Sequence, residues 1–125
     1  MPAIFARLAE LRTCICQYKV CSTFDSSPSC GSIGRALEIG QDTFRTPWVP
    51  VVVAAPHLGR YVLFGNLFAA SGDAIHRIDR HPTMRRHPVT PMNEADLTVH
   101  LSGQTSREIR LLDILHLHSD NPAIH

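Results

Sequence analysis

Apolar segments of strand length alternate with amphipathic helical segments along this chain, and that alternation constrains the fold more than any other feature. Pro2 suits the first turn of a helix, and Ser32 is a good N-cap residue for a second one. Helices are predicted at residues 2–11, 32–44 and 93–103. Buried strands are predicted at residues 14–20, 48–55 and 109–113.

A turn sequence, Ala-Ser-Gly-Asp, joins residues 60–68 to residues 74–78 and predicts a β-hairpin. Helices that alternate with apolar strands are typical of α/β folds. We therefore expect a largely parallel sheet with flanking helices plus the hairpin. Ligands of such sheets bind beyond the carboxyl ends of the strands. Those ends lead here into residues 21–27, residues 56–60 and Asp113, which are expected to meet on one rim.

Composition limits the class of protein. The chain has 125 residues, which suits one domain, and 12 Lys plus Arg residues against 11 Asp plus Glu residues. No overall basic field exists to hold nucleic acid. The longest apolar run, residues 49–55, contains Pro50 and is far shorter than the roughly 20 residues of a membrane span. The sequence thus predicts neither a nucleic-acid-binding protein nor a membrane-spanning one.

All four cysteines lie in the first quarter of the chain, at Cys14, Cys16, Cys21 and Cys30. A secreted disulfide scaffold spreads its cysteines along the chain, and a zinc site usually has Cys-x-x-Cys pairs. Neither pattern is present, and no apolar signal sequence opens the chain. We therefore expect a reduced protein in the cytoplasm.

The loop after residue 20 is rich in hydroxyl groups. Its Ser22, Thr23, Asp25 and Ser26 could bind a polyhydroxylated ligand, or the loop could be an ordinary polar connection. Lys19, just before it, could aim its ammonium group at an anion or lie in solvent.

Charged residues elsewhere in the sequence also allow either a ligand-binding role or a structural one. Arg60, after Gly59, could grip a carboxylate or simply begin the hairpin. Residues 76–87 hold four Arg, three His and one Asp, a positive patch that could attract an anion or contact a subunit.

A metal site is a weaker alternative. His116 and His118 have the spacing of two ligands on one strand face, and His76, His81 and His87 could join them in a metal-dependent hydrolase. No carboxylate is placed to support such a site, so no metal ligand is predicted. The usual glycine-rich nucleotide motifs are also missing from these 125 residues.

Several motifs together resemble the four-carbon acid sugar kinase family. They are Lys19-Val-Cys-Ser-Thr-Phe-Asp-Ser-Ser-Pro28, Gly31-Ser-Ile-Gly34, Pro56-His-Leu-Gly-Arg60, Gly65-Asn-Leu-Phe68 and Arg86-His-Pro-Val-Thr-Pro-Met92. The resemblance covers residues 18–113. It implies an enzyme with an N-terminal sugar-acid domain and a C-terminal nucleotide domain. Such enzymes use ATP and Mg²⁺ to phosphorylate the terminal hydroxyl of threonate, erythronate or their oxo derivatives.

The family's opening Asp-Asp-x-Thr-Gly motif and its glycine-rich nucleotide domain have no counterpart among these residues. The resemblance therefore implies that residues 1–125 are a partial N-terminal domain, inactive alone, with no ATP or Mg²⁺ of its own. Missing strands would leave sheet edges through which the chain could self-associate.

The matched motifs also imply roles for individual residues. Lys19 and Arg60 would attract the carboxylate or the transferred phosphoryl group. Hydroxyl groups of the sugar acid would be held by the loop residues Ser22, Thr23, Asp25 and Ser26. The segment that contains His87 and Thr90 would shape the pocket wall. A stand-alone sugar-acid-binding or regulatory module is the alternative function, ahead of the hydrolase.

Overall fold

The computed structural model describes residues 1–117. Its regular elements are helices α1 (Pro2–Glu10), α2 (Ile33–Phe44), α3 (Leu97–Ser102) and α4 (Ile114–Leu117), and strands β1 (Arg60–Leu63), β2 (Asn66–Ser71) and β3 (Ala74–Arg77). Three short 3₁₀ turns lie at Pro56–Leu58, Ile78–Arg80 and Met84–Arg86. No described helix is long and apolar enough to cross a membrane.

Helices α1 and α2 confirm two of the predicted helices and pack against each other. Phe5 of α1 is buried, with its ring centre 6.2 Å from that of Phe44 and 5.9 Å from that of Tyr18. Ser32 caps α2 as predicted, because its Oγ accepts a hydrogen bond of 3.1 Å from the backbone N–H of Arg35. These aromatic contacts bring the chain before the hydroxyl-rich loop onto the two helices.

The sheet is a three-stranded antiparallel meander in the order β1-β2-β3. Phe64 and Gly65, both at positive φ, form the turn from β1 to β2, whereas residues 60–68 were predicted as one strand. The turn at Gly72 joins β2 to β3 at the place the hairpin prediction gave. Residues with positive φ at two-residue turns give the twist that hairpins require.

The prediction of a largely parallel sheet is wrong for the described residues. Residues 14–20 and 109–113 form no strand, and residues 48–55 contribute one isolated bridge, from Ala55 to Arg60. An apolar run predicts a strand, but a strand forms only where a neighbour accepts its main-chain hydrogen bonds. Apart from the bridge between Ala55 and Arg60, these three segments have no such neighbour within residues 1–117.

The third predicted helix starts later than expected. Helix α3 begins at Leu97, and Asp96 caps it, its Oδ1 accepting a 2.8 Å hydrogen bond from the backbone N–H of Thr98. The segment from Asn93 to Asp96 precedes the helix. The capping residue is therefore Asp96, three residues after the predicted start of the helix at residue 93.

The core lies between the central strand, the hydroxyl-rich loop and α3. Leu67 and Ala69 of β2 are fully buried, as are Phe24 of the loop and Met92 before α3. Leu101 of α3 belongs to the same cluster. The loop is thus held by a buried aromatic ring, and its polar side chains are fixed relative to β2 and α3.

Candidate functional site

A cleft of about 490 Å³ lies between residues 17–22 and residues 52–58. Lys19 and Ser22 line it from one side, and His57 and Leu58 line it from the other. The volume falls within the range of small-molecule sites, roughly 300–1,000 Å³. The beginning of the hydroxyl-rich loop and the turn before Arg60 therefore open onto a common space, although no parallel sheet joins them.

Asp25 lies outside the lining of this cleft, in a chain of hydrogen bonds. Its Oδ1 accepts a 2.5 Å bond from Thr23 Oγ1, and its Oδ2 accepts a 3.1 Å bond from Thr90 Oγ1. Thr90 Oγ1 is also 3.0 Å from His87 Nδ1. Burial alone would raise the pKa of Asp25, but the hydrogen bonds from Thr23 and Thr90 outweigh it and lower that pKa. The carboxylate thus ties the loop to the predicted pocket wall.

Ser26 is the centre of a second network, joined by Gln104 and His100. The Ser26 hydroxyl donates a 3.0 Å bond to the carbonyl of Phe24 and lies 2.9 Å from His100 Nε2. Gln104 Nε2 donates a 2.8 Å bond to Ser26 Oγ and lies 3.0 Å from His100 Nε2. Ser26 is 2% exposed, so its hydroxyl is part of the packed interior of the loop.

Gln104 also caps helix α2. Its Oε1 accepts a 2.9 Å hydrogen bond from the backbone N–H of Ile33, and a longer one of 3.4 Å from Gly34. Because the backbone N–H groups of Ile33 and Gly34 are donors, the amide atom that faces them must be the oxygen. The amide nitrogen Nε2 therefore faces Ser26 and His100. Because Nε2 is a donor, His100 Nε2 has to be the acceptor, which requires a neutral imidazole with its proton on Nδ1.

Burial lowers the pKa of His100, and the charge of Glu94 opposes this only in part. A histidine whose folded pKa lies below its unfolded value binds fewer protons when folded. Its contribution to the free energy of unfolding is therefore complete above the ordinary pKa of 6.5 and decreases as the pH falls through that value. Carboxyl groups such as that of Asp25, whose pKa is lowered, titrate at a lower pH than His100. They therefore do not contribute to the change in unfolding free energy near pH 6.5.

We therefore expect the free energy of unfolding to decrease as the pH is lowered from about 7.5 to 5.5. Urea denaturation at several pH values measures it. His100→Gln should flatten the decrease, whereas His57→Gln, which changes a histidine of the cleft, should retain it. Equal slopes for His100→Gln and the unsubstituted chain would show that His100 is not held neutral.

Arg60 points back to its own turn. Its guanidinium donates hydrogen bonds of 2.8 Å to the carbonyl of Leu58 and 3.2 Å to that of Gly59. The Arg60 Nε is buried and has no acceptor among the described residues. The side chain thus stiffens the turn whose residues line the cleft.

The structure divides the predicted site residues into three groups. Lys19 and Ser22 line the cleft. The Asp25 network contains Thr23, His87 and Thr90, and Ser26 belongs to the Gln104 network. Arg60 lies at the turn beside the cleft. Of the alternative metal ligands, His118 lies outside the described residues, and residues 1–117 contain no group of three His, Cys, Asp or Glu side chains that could hold a metal ion.

Sequence reasoning missed Gln104, His100 and His57. The Ser26 network joins residues 74 and 78 positions apart, so no local pattern shows His100 or Gln104. His57 stands in a quoted motif, and its place directly after Pro56 at the end of an apolar segment could have marked it as a lining residue.

Among the described helices, α2 is the one that follows a glycine-containing loop. Its beginning does not fit a phosphate group of ATP. A phosphate would need the free N–H groups at the beginning of α2. The Gln104 side chain already takes those of Ile33 and Gly34. A Cβ on Gly34 would lie 2.7 Å from Gln104 Cβ, so no room remains there.

Comparison with known proteins decides the family. A family model described as a sugar-binding N-terminal domain matches residues 1–125. This chain belongs to that family. The resemblance to the N-terminal domain of four-carbon acid sugar kinases is thereby confirmed.

Relatives of this sugar-binding domain carry kinase names. The chain is 60% identical over 117 residues to a 3-oxo-isoapionate kinase of Paraburkholderia graminis, covering 94% of this chain and 25% of that protein. It is 33% identical over 95 residues to a 3-oxo-tetronate kinase of Pseudomonas savastanoi pv. phaseolicola, covering 76% and 21%. The chain thus spans about a quarter of the length of the curated relatives it matches.

A solved structure supports the same assignment. The crystal structure of a Haemophilus influenzae protein of the DUF1537 family matches this sugar-binding domain with a TM-score of 0.68 and 29% identity. The match covers 79% of this chain and 23% of that protein. The described fold therefore corresponds to one portion of a larger known structure.

Proposed function

We propose that this chain is the sugar-acid-binding part of an ATP-dependent kinase that phosphorylates a hydroxyl group of a four-carbon sugar acid. The observation that carries the proposal is the cleft, to which Lys19 brings an ammonium group and Ser22 a hydroxyl. A cation beside a hydroxyl matches the two ends of a sugar acid, a carboxylate and an alcohol. The relatives' names, 3-oxo-isoapionate kinase and 3-oxo-tetronate kinase, both support a sugar-acid substrate, and the tetronate is the one with four carbons.

In this proposal Lys19 binds the carboxylate and Ser22 accepts or donates a hydrogen bond to a substrate hydroxyl. Thr23, Asp25 and Ser26 hold the loop in the shape that presents Ser22, because their side chains are bonded within the protein. His87 and Thr90 anchor the same loop from the pocket wall. Arg60 fixes the opposite turn and keeps its guanidinium near the cleft.

Phosphoryl transfer also needs an oriented acceptor hydroxyl and a triphosphate clamped by cations. The beginning of α2 does not fit the triphosphate, since Gln104 fills it. We therefore propose that residues 1–125 are a partial N-terminal domain, that ATP and Mg²⁺ bind on another part of the complete kinase, and that this chain alone transfers no phosphate. The four free, exposed cysteines support a cytoplasmic, reducing location.

Lys19 is the single lysine of the sequence, which allows a direct test. Reductive methylation with ¹³C-formaldehyde gives one lysine signal beside that of the N-terminus in an NMR spectrum. Adding erythronate or threonate should shift this signal in a saturable way. Lys19→Ala removes this signal, so its affinity is measured by isothermal titration calorimetry. Binding should be about 10- to 100-fold weaker, because a hydrogen bond between two charged groups contributes roughly 1.5–3 kcal/mol.

The matched control is Arg80→Ala, which removes an exposed cation far along the chain and should leave the affinity unchanged. Ser22→Ala should weaken binding by a smaller factor than Lys19→Ala. No shift of the lysine signal at saturating sugar acid, or an equal loss of affinity in Arg80→Ala, would contradict the proposed site.

A further inference from the structure

The two walls of the cleft differ in chemical character. Residues 17–22 bring several polar side chains to it, among them those of Lys19 and Ser22. Residues 52–58 contribute valine, alanine and leucine side chains and the imidazole of His57. Within the described residues, His57 is thus the one side chain on its wall that can form a hydrogen bond. A few well-placed polar groups in an otherwise apolar lining fix the orientation of a bound ligand.

The imidazole of His57 is available to a ligand. Other histidine rings within residues 1–117 form hydrogen bonds inside the protein, namely those of His81, His87, His100 and His116. The ring of His57 forms none with the described residues, and its side chain is exposed. A neutral imidazole has one nitrogen that accepts and one N–H group that donates, so it can pair with a hydroxyl group through either nitrogen.

The turn that carries His57 is held in place on both sides. The N–H of Gly59 donates a 2.9 Å hydrogen bond to the carbonyl of Pro56. A Cβ on Gly59 would lie 2.8 Å from Ala70 Cβ, so the turn packs closely against β2. The guanidinium of Arg60 donates to two carbonyl groups of the same turn. A ligand that contacts His57 therefore meets a preorganised backbone, which loses little freedom on binding.

We propose that His57 determines which sugar acids the cleft accepts, by forming a hydrogen bond with the hydroxyl at the end opposite the carboxylate. This inference rests on the proposed function and assigns a protein group to the second end of the same ligand. With its carboxylate on Lys19 and one hydroxyl on Ser22, an acid that crosses the cleft presents its last carbon to the wall of His57. The preferred ligand is therefore an acid with a free terminal hydroxyl, and one that ends in a methyl group binds more weakly.

The apolar side chains of this wall have the opposite preference. Val52 and Leu58 line it and are exposed. They favour a methyl group over a hydroxyl at the end of the ligand, because burial of a methyl group in contact with them is favourable. His57 and its apolar neighbours thus predict opposite orders of affinity for two acids that differ only in the terminal hydroxyl.

Erythronate and 4-deoxyerythronate, which ends in a methyl group, provide the test. Their affinities for the full chain are measured by isothermal titration calorimetry. The unsubstituted chain should bind erythronate about 2- to 10-fold more tightly, the range expected for one hydrogen bond between uncharged groups. His57→Phe keeps an aromatic ring but cannot form the hydrogen bond. This variant should bind the two ligands equally or prefer 4-deoxyerythronate.

His76→Phe is the matched control, because the ring of His76 also forms no hydrogen bond within residues 1–117 and lies outside the lining of the cleft. It should keep the preference of the unsubstituted chain. Lys19→Ala should weaken both ligands by the same factor, since it acts on the carboxylate that they share. In His57→Phe both ligands should still shift the NMR signal of methylated Lys19, which reports that the carboxylate end stays in place.

Two results would overturn the role of His57 and leave the sugar-acid site at Lys19 intact. The first is equal affinity of the unsubstituted chain for the two ligands, both of which shift the Lys19 signal. The second is a preference for erythronate that survives in His57→Phe, which would assign the terminal hydroxyl to another group. A third result, no shift of the Lys19 signal with either ligand, would overturn the proposed function and this inference together.

Discussion

Replacing Gly34 with alanine is expected to destabilise the protein by about 3 kcal/mol, because the new methyl group has no space. A Cβ at this position would lie 2.7 Å from Gln104 Cβ and 2.8 Å from the Gln104 carbonyl carbon and oxygen. Backbone atoms cannot rotate away as a side-chain end can, so α2 would have to move. Such a movement breaks the hydrogen bonds of Gln104 Oε1 to the beginning of the helix.

Gly40 provides the matched control, since it lies on the same helix with no atom within 4 Å of its Cβ position. Gly40→Ala should stabilise the protein by up to about 1 kcal/mol, the difference in helix propensity. Equilibrium denaturation with urea measures both variants. If Gly34→Ala proves as stable as Gly40→Ala, α2 does not approach Gln104 as closely as described.

Gln104→Ala is expected to cost about 2–4 kcal/mol of unfolding free energy, since it removes hydrogen bonds at three places simultaneously. The amide caps α2 through Ile33, donates to the buried Ser26 and faces His100. Truncation leaves the Ser26 hydroxyl and the helix N–H groups without these partners. Buried polar groups that lose a partner carry their full desolvation cost.

Gln104→Glu separates the capping role from the donor role. A carboxylate keeps an acceptor for Ile33 but places a second acceptor against His100 Nε2, which then favours a protonated imidazole. The pKa of His100 should rise, and the variant should lose less stability at pH 5.5 than at pH 7.5. Two-dimensional NMR of the histidine ring protons measures that pKa.

Gln41→Ala is the control for both substitutions, because Gln41 makes one exposed hydrogen bond, to the carbonyl of Pro47. It should change the free energy of unfolding by no more than about 0.5 kcal/mol. A loss in Gln104→Ala as small as that in Gln41→Ala would contradict the structural role assigned to Gln104.

Local signals in the sequence predicted the elements that depend on local interactions. Ser32 marked the beginning of α2, and Pro2 that of α1. The turn at Gly72 was placed correctly, because glycine tolerates the positive φ that a two-residue turn requires. The turn at Gly65 was overlooked within an apolar run, so one predicted strand became β1 and β2.

The three predicted parallel strands do not form within residues 1–117, and their apolar residues alone could not show this. Val51, Val52 and Val53 favour a strand by composition, but pairing requires a partner that composition does not specify. Within residues 1–117 the partners are absent, and the sheet that forms is the local antiparallel one. Neighbouring strands in a meander pair through short turns, so their pairing needs no distant segment.

The sequence by itself determined the family, the capped helices and the hydroxyl-rich loop beside Lys19, since these depend on residue identity over a few positions. Tertiary structure alone decided which of those hydroxyls line the cleft and which are bonded inside the protein. Asp25 pairs with Thr90, 65 positions away, and Ser26 with Gln104, 78 positions away. The physical reason is that a hydrogen bond between distant residues forms only after folding has brought them together, and its partner leaves no mark in the neighbouring sequence.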